Sequence, residues 1–148
     1  MIWKPNVTVA AILECDGKFL LVEEESTSGL VLNQPAGHLE SGENLPAAAV
    51  RETLEESAYR FEPQHLIGIY RWHSDVSHTT YLRFAFAGNI LAHYPDQPLD
   101  MGIVRAMWMT LDEIRESQAR HRSPLVLRCV EDYLAGKRFP LDLLVHYS

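Results

Sequence analysis

Glu52, Glu55 and Glu56 carry the strongest chemical signal in the chain, because steps of three and four residues bring three carboxylates onto one face of a helix. Glu52 and Glu56 are like charges at four-residue spacing, which costs a bare helix about 0.2–0.5 kcal/mol. A divalent cation removes that conflict. Hard cations such as Mg²⁺ take oxygen ligands, and the preceding loop offers Gly37, Gly42 and Glu43 as sources of a backbone carbonyl or a further carboxylate. The competing reading is a solvated face with Arg51–Glu55 and Glu56–Arg60 pairs. It is the weaker one, since Arg placed before Glu is the poorer orientation for a helical pair.

A helix must present these groups, and its signals are local. Asn44 is a good N-cap, Pro46 suits the first turn, and the following residues are good helix formers, so the helix is expected over about Leu45 to Ser57. Ala47, Val50, Leu54 and Ala58 follow at helical steps and are the expected core stripe, opposite the carboxylates.

The spacing extends beyond the helix. Gly37, five residues, Glu43, seven residues, and then Arg51-Glu52-Thr53-Leu54-Glu55-Glu56-Ser57-Ala58-Tyr59 resembles the Nudix box, the signature of hydrolases of nucleoside diphosphates linked to another moiety. The resemblance implies Mg²⁺, or Mn²⁺ in its place, held by Glu52, Glu55 and Glu56, with the Gly37 carbonyl as a further candidate ligand. It implies the same three glutamates as the catalytic carboxylates, and Glu43 with Arg51 as an ion pair bracing the loop against the helix. Two positions depart from the pattern. Thr53 stands where the family prefers an aliphatic residue, and Ala58 stands where it usually has Gly, which puts strain on an exit turn that needs φ > 0. Relatives often carry an acid shortly before the Trp that corresponds to Trp108. The nearest acid here is Asp100, for which a general base and a turn-capping carboxylate are equally good readings.

Composition agrees with a small enzyme. The 148 residues are 47% hydrophobic and are expected to form one domain over 1–148. A net charge of −7, from 13 basic against 20 acidic residues, argues against a nucleic-acid polymer as partner and leaves a small, cation-complexed anion. No apolar run is long enough to span a membrane and Met-Ile-Trp-Lys-Pro-Asn is no signal sequence, so a cytoplasmic monomer is expected, with Cys15 and Cys129 reduced.

In chain order, Val7 to Cys15 and Lys18 to Glu24 form an expected hairpin around Asp16-Gly17, and short extended pieces flank Gln34-Pro35. Two strands, Leu66 to His73 and Tyr81 to Leu91, follow the carboxylate helix. A strand near Val104 to Met109, a capped helix at Thr110-Leu111-Asp112-Glu113, a helix over Leu125 to Ala135 and a terminal segment from Phe139 to Val145 complete the chain. This order resembles the Nudix fold, an α/β (α+β) arrangement with a mixed β-sheet sandwiched between α-helices.

Asn33 through Glu40, Leu82-Arg83-Phe84, Arg122 through Val126 and Arg138-Phe139-Pro140-Leu141 are similar to one bacterial phosphatase subgroup of that family. That similarity implies action on nucleoside di- and triphosphates and on thiamine-pathway pyrophosphates, including hydroxymethylpyrimidine pyrophosphate and thiamine pyrophosphate. Arg83, in a strand, is the candidate phosphate binder outside the box, set against a plain strand-face ion pair. His38 is the candidate substrate contact in the loop, while Trp72, His73 and Tyr81 either flank a heterocycle or pack the sheet. Cleansing of oxidised nucleoside triphosphates and a sensor that binds nucleotide without turnover are the competing functions.

Overall fold

The computed structural model describes residues 2–147; of the domain expected over 1–148, Met1 and Ser148 lie outside the described residues. The strands are β1 (Asn6–Ile12), β2 (Glu14–Cys15), β3 (Lys18–Ser26), β4 (Gly29–Asn33), β5 (Ala36–His38), β6 (Tyr59–Ser74), β7 (Thr79–His93) and β8 (Ile103–Thr110). The helices are α1 (Leu45–Ser57), α2 (Leu111–Glu116) and α3 (Leu125–Leu134). One sheet runs β5-β1-β7-β6 and is mixed, because β1 is parallel to β7 and the other pairs are antiparallel. In the second, wholly antiparallel sheet, β3 pairs with β2, β4 and β8.

The first extended run does not form one strand. It splits at Leu13, so that β1 enters the mixed sheet and only Glu14 and Cys15 form the hairpin with β3. Every residue from Val9 to Leu13 is buried, which suits a central strand covered on both faces better than a hairpin arm with one wet face. The hairpin turn itself has φ of 51° at Asp16 and 76° at Gly17, the left-handed pair that a tight two-residue connection needs. Both cysteines are free thiols.

Helices cover both sides. Ala48 and Ala49 of α1 pack with Val9, Ala11, Leu20 and Phe86, while Val126, Cys129 and Val130 of α3 and Ile114 of α2 pack with Ile12, Phe19, Leu21 and Ala85. Alternation along β1, β3 and β7 thus feeds two cores from the same strands. Strands β6 and β7 are longer than expected and carry register shifts, one of them beside the Pro63–Gly88 pair. A Cβ at Gly88 would overlap the Glu62 carbonyl oxygen, so the close crossing there requires glycine. The terminal segment is pinned by Phe139, which exchanges backbone bonds of 2.8 and 2.9 Å with Leu66.

The helix α1 has the expected bounds, with Asn44 Oδ1 accepting from the Ala47 amide at 2.8 Å, but its buried face is not the expected one. Ala47 is exposed and Val50 and Leu54 are half-buried, whereas Ala48, Ala49, Thr53, Glu56 and Ser57 are buried. The stripe is rotated toward the carboxylates. Ala58 does close the helix in the left-handed region, at φ 62° and ψ 16°, with its amide donating to Leu54 O. An L-residue there carries about 1–2 kcal/mol of strain that glycine avoids.

Thr53 is fully buried and its Oγ1 has no hydrogen-bond partner. A sequestered hydroxyl of this kind costs about 1–3 kcal/mol, and valine has the same shape without it. Thr53→Val is expected to stabilise the protein by about 1 kcal/mol, seen as a rise in Tm of about 3 °C in thermal melts; an unchanged or lower Tm would contradict the assignment.

Candidate functional site

Arg51 is the hub of the site. Its Nε and Nη2 donate to the two carboxylate oxygens of Glu43 at 2.7 and 3.0 Å, a two-pronged contact that spans from helix to loop. Nη1 donates to Glu52 Oε1 at 2.7 Å and to Glu55 Oε2 at 3.3 Å, and Nη2 also reaches the His38 carbonyl at 2.9 Å. One cation therefore gathers the loop, the strand β5 and two of the three glutamates. The hydrogen bonds from Arg51 hold the Glu43 carboxyl below its usual range.

The glutamates themselves behave differently. Burial pushes Glu52 up despite its bond to Arg51, and burial together with the charge of Asp100 pushes Glu55 up. Glu56 does not pair with Arg60; its Oε1 accepts from the Ala36 amide at 3.0 Å, and burial pushes its carboxyl up to about 8. The charges of Glu24, Glu52 and Asp100 add to that rise. Burial and mutual repulsion thus raise all three box glutamates above the usual carboxylate range, with Arg51 as a partial counterweight at Glu52 and Glu55.

Asp100 enters through its backbone. Its amide donates to Glu55 O at 3.0 Å, while Gln97 Nε2 caps Leu54 O at 2.8 Å and the Tyr94 amide reaches Ala58 O at 2.9 Å. These bonds take up carbonyls at the C-terminal end of α1 and lay the loop along it. Carboxylate oxygens of Glu52, Glu55 and Asp100 consequently lie within 4.8 Å of one another, a set of hard donors that fits a divalent cation. A Cβ at position 37 would overlap the Glu52 carboxylate, so glycine there leaves that carboxylate its place against β5.

The remaining candidates lie farther along the same sheet. His38 has an exposed side chain, and its carbonyl is the part that Arg51 grips. Arg83 is buried, with Nη2 donating to Asn33 Oδ1 at 2.9 Å and Nη1 to Gln34 Oε1 at 2.8 Å. Trp72 and Tyr81 stack on each other at 5.8 Å, and His73 Nδ1 lies 2.9 Å from Thr80 Oγ1. A cavity of about 290 Å³ opens beside Trp72, lined also by His121, Arg122, Ser123 and Leu127. Arg122 Nη1 approaches Glu24 Oε1 to 3.2 Å, and Glu24 in turn acts on Glu56, so the cavity and the acidic cluster share a border. Neither that border nor the contacts of Arg83 have a local sequence signal, since the partners come from β3, β4 and the approach to α3.

Residues 3–129 match the NUDIX domain family. The chain is 41% identical over 146 residues to phosphatase NudJ of Escherichia coli strain K12, covering 99% of this chain and 94% of that protein. A solved NUDIX hydrolase from Nitrosomonas europaea is 56% identical and superposes with a TM-score of 0.95, over 97% of this chain and 98% of that one. A UDP-X diphosphatase shares the fold at a TM-score of 0.74 and 16% identity, over 95% and 68% of the two chains.

The raised Glu56 sets a pH dependence. In the cation-free protein, the folded state keeps a proton that the unfolded state releases near pH 4.5, so the contribution is full below 4.5 and is lost as pH rises through about 8. Melts in chelator are expected to show stability falling from pH 6 to pH 8.5, with a flatter profile in Glu56→Gln. Equal slopes for the two proteins would remove Glu56 as the cause.

Proposed function

The chain belongs to the Nudix family of hydrolases, and from that premise we propose that it is an Mg²⁺-dependent phosphatase releasing orthophosphate from nucleoside di- and triphosphates and from thiamine-pathway pyrophosphates. The observation that carries this reading is the convergence of Glu52, Glu55 and Asp100 beside the buried Glu56, in a chain similar over nearly its full length to a phosphatase. The thiamine-pathway substrates follow from the motifs shared with that subgroup.

Phosphoanhydrides resist attack because their oxygens are negatively charged, and a bound Mg²⁺, or Mn²⁺, supplies the compensating charge. Glu52, Glu55 and Glu56 are proposed to hold it, with Asp100 beside them and the Gly37 carbonyl as a further donor. Arg51 is proposed to orient the carboxylates, since it fixes Glu52 and Glu55 while its bonds to Glu43 and the His38 carbonyl hold the loop. His38 then presents its exposed ring at the loop edge, where it can meet substrate. A carboxylate of the cluster whose proton affinity is raised is suited to accept the proton of the attacking water. The cavity at Trp72 and Arg122 is proposed to take the organic end of the substrate, and Arg83 to supply positive charge beneath the phosphates. A monomer is proposed as the working unit. No helix among the described residues is long and apolar enough to cross a membrane.

The bond broken is decided by how far the substrate advances across the carboxylates, not by the carboxylates themselves. Hydrolysis in ¹⁸O-labelled water is expected to place label in orthophosphate for both a nucleoside triphosphate and hydroxymethylpyrimidine pyrophosphate, with the monophosphate as second product from the latter. Pyrophosphate as the main product from the triphosphate, with the pyrimidine substrate intact, would promote nucleotide cleansing instead. Saturable binding without hydrolysis of any pyrophosphate would support a sensor.

Glu55→Gln tests the carboxylates directly. An amide is a poor ligand for a hard cation, so kcat is expected to fall by about 100-fold or more while circular dichroism stays that of the parent. Turnover at the parent rate would take Glu55 out of the mechanism.

A further inference from the structure

Arg83 is a buried cation whose hydrogen-bond acceptors are neutral. It is 6% exposed, and its acceptors are Asn33 Oδ1 at 2.9 Å, Gln34 Oε1 at 2.8 Å and, more weakly, Cys129 Sγ at 3.8 Å. Among the described residues it forms no ion pair. Asp132 is the carboxylate of the same network, but it accepts from Tyr70 at 2.7 Å and is already paired with Arg128 and Lys137. A buried guanidinium without its own counter-ion is costly, and a purely structural role could be filled by an apolar side chain.

The geometry has a consequence for the two amides. A guanidinium has donors and no acceptor, so the oxygen of each amide must face Arg83 and the NH₂ must point elsewhere. Gln34 spends its NH₂ on the Val126 carbonyl at 2.7 Å. Asn33 does not. Its Nδ2 has no partner among the described residues, and it is not among the buried polar atoms sealed from solvent without one. Arg83 therefore sets the direction of a free donor and stands behind it, so that the cation and the positive end of the amide dipole both favour an anion in front.

The position of Asn33 suits such a ligand. Its neighbour Leu32 accepts the Arg122 amide at 2.8 Å, at the wall of the cavity, and Ala36 three residues on donates to Glu56. Asn33 stands on the short stretch of chain between the cavity and the carboxylates. We propose that Asn33 is a substrate-contacting residue that donates through Nδ2 to a phosphoryl oxygen on the organic side of the scissile anhydride, and that Arg83 is the positioning residue that aims it. This deepens the phosphatase reading and rests on it for the identity of the ligand. Arg83 then acts on the phosphate through Asn33, without touching it.

Asn33→Asp separates ligand binding from structure. The new carboxylate gives Arg83 its missing counter-ion and removes the donor, so Tm is expected to rise while affinity for an anionic ligand falls. The probe is adenosine 5′-(α,β-methylene)diphosphate with Mg²⁺, measured by calorimetry, which needs no turnover. Binding is expected to weaken by about tenfold or more, and KM for ADP to rise similarly with kcat within about threefold. Arg83→Lys, which keeps the charge but cannot span both amides, is the second arm and is expected to raise KM by about threefold or more with kcat retained. Binding of the analogue to Asn33→Asp within twofold of the parent, at any Tm, would overturn the proposal. Should Asn33→Asp fail to fold, an unchanged KM in folded Arg83→Lys would overturn it. If the parent binds the analogue but hydrolyses no pyrophosphate, the phosphatase reading fails and the binding comparison still decides the role of Asn33.

Discussion

The organisation of this molecule depends on one guanidinium. Arg51 is the point at which the loop, the strand β5 and the helix α1 are joined, because it contacts Glu43, Glu52, Glu55 and the His38 carbonyl together. A lysine could satisfy one of these partners as a point charge, but the planar fork is what lets two carboxylate oxygens of Glu43 be held in parallel while the far nitrogen serves the helix. Its positive charge is also the local counterweight to the acidic group. That counterweight is incomplete, as the upward shifts at Glu52, Glu55 and Glu56 show, and the deficit is what gives a dication a reason to enter.

Burial and ionisation compete throughout the site. The face of α1 that meets the sheet is made of small residues, Ala48 and Ala49, which allow the helix to approach closely and carry Glu56 inward with it. A bulkier stripe would have kept the carboxylates in water. The same closeness brings the carboxylate of Glu52 against the backbone of β5 at Gly37, where a Cβ would displace it. Thr53 is caught in this compression with its hydroxyl unpaired. The unpaired hydroxyl is a local cost of that burial, which a side chain of the same shape without it would avoid.

Much of this was legible in the sequence wherever the cause was local. Asn44 and Pro46 mark the start of α1, Thr110 and Glu113 form the reciprocal cap of α2, and Asp16-Gly17 makes its tight turn, since each of these depends on neighbours a few residues away. The buried face of α1 was not legible, because alanines lie on both sides of it and the choice is made by β1 and by the Ala36 amide. The break of the first run at Leu13 has the same origin, as alternation cannot show that a strand will be covered on both faces. Asp100 lies forty-five positions from Glu55 and reaches it through a backbone bond that no side-chain pattern encodes. The acceptors of Arg83 are Asn33 at the end of β4, Gln34 just beyond it and Cys129 of α3, so its strand context alone could suggest an ion pair or a phosphate but not two amides.

The way the loop from Tyr94 to Asp100 is tied to α1 has a dynamic consequence. Three donors, the Tyr94 and Asp100 amides and the Gln97 side chain, take up carbonyls at the end of the helix, so opening the last helical turn also releases the loop. The Asp100 amide, although it belongs to an exposed residue in an irregular segment, is hydrogen-bonded to that helical turn, so its exchange with solvent is expected to follow opening of the turn. The backbone that carries the Asp100 side chain is therefore tied to the backbone that carries Glu55, so motion of the loop is coupled to motion of that helical turn.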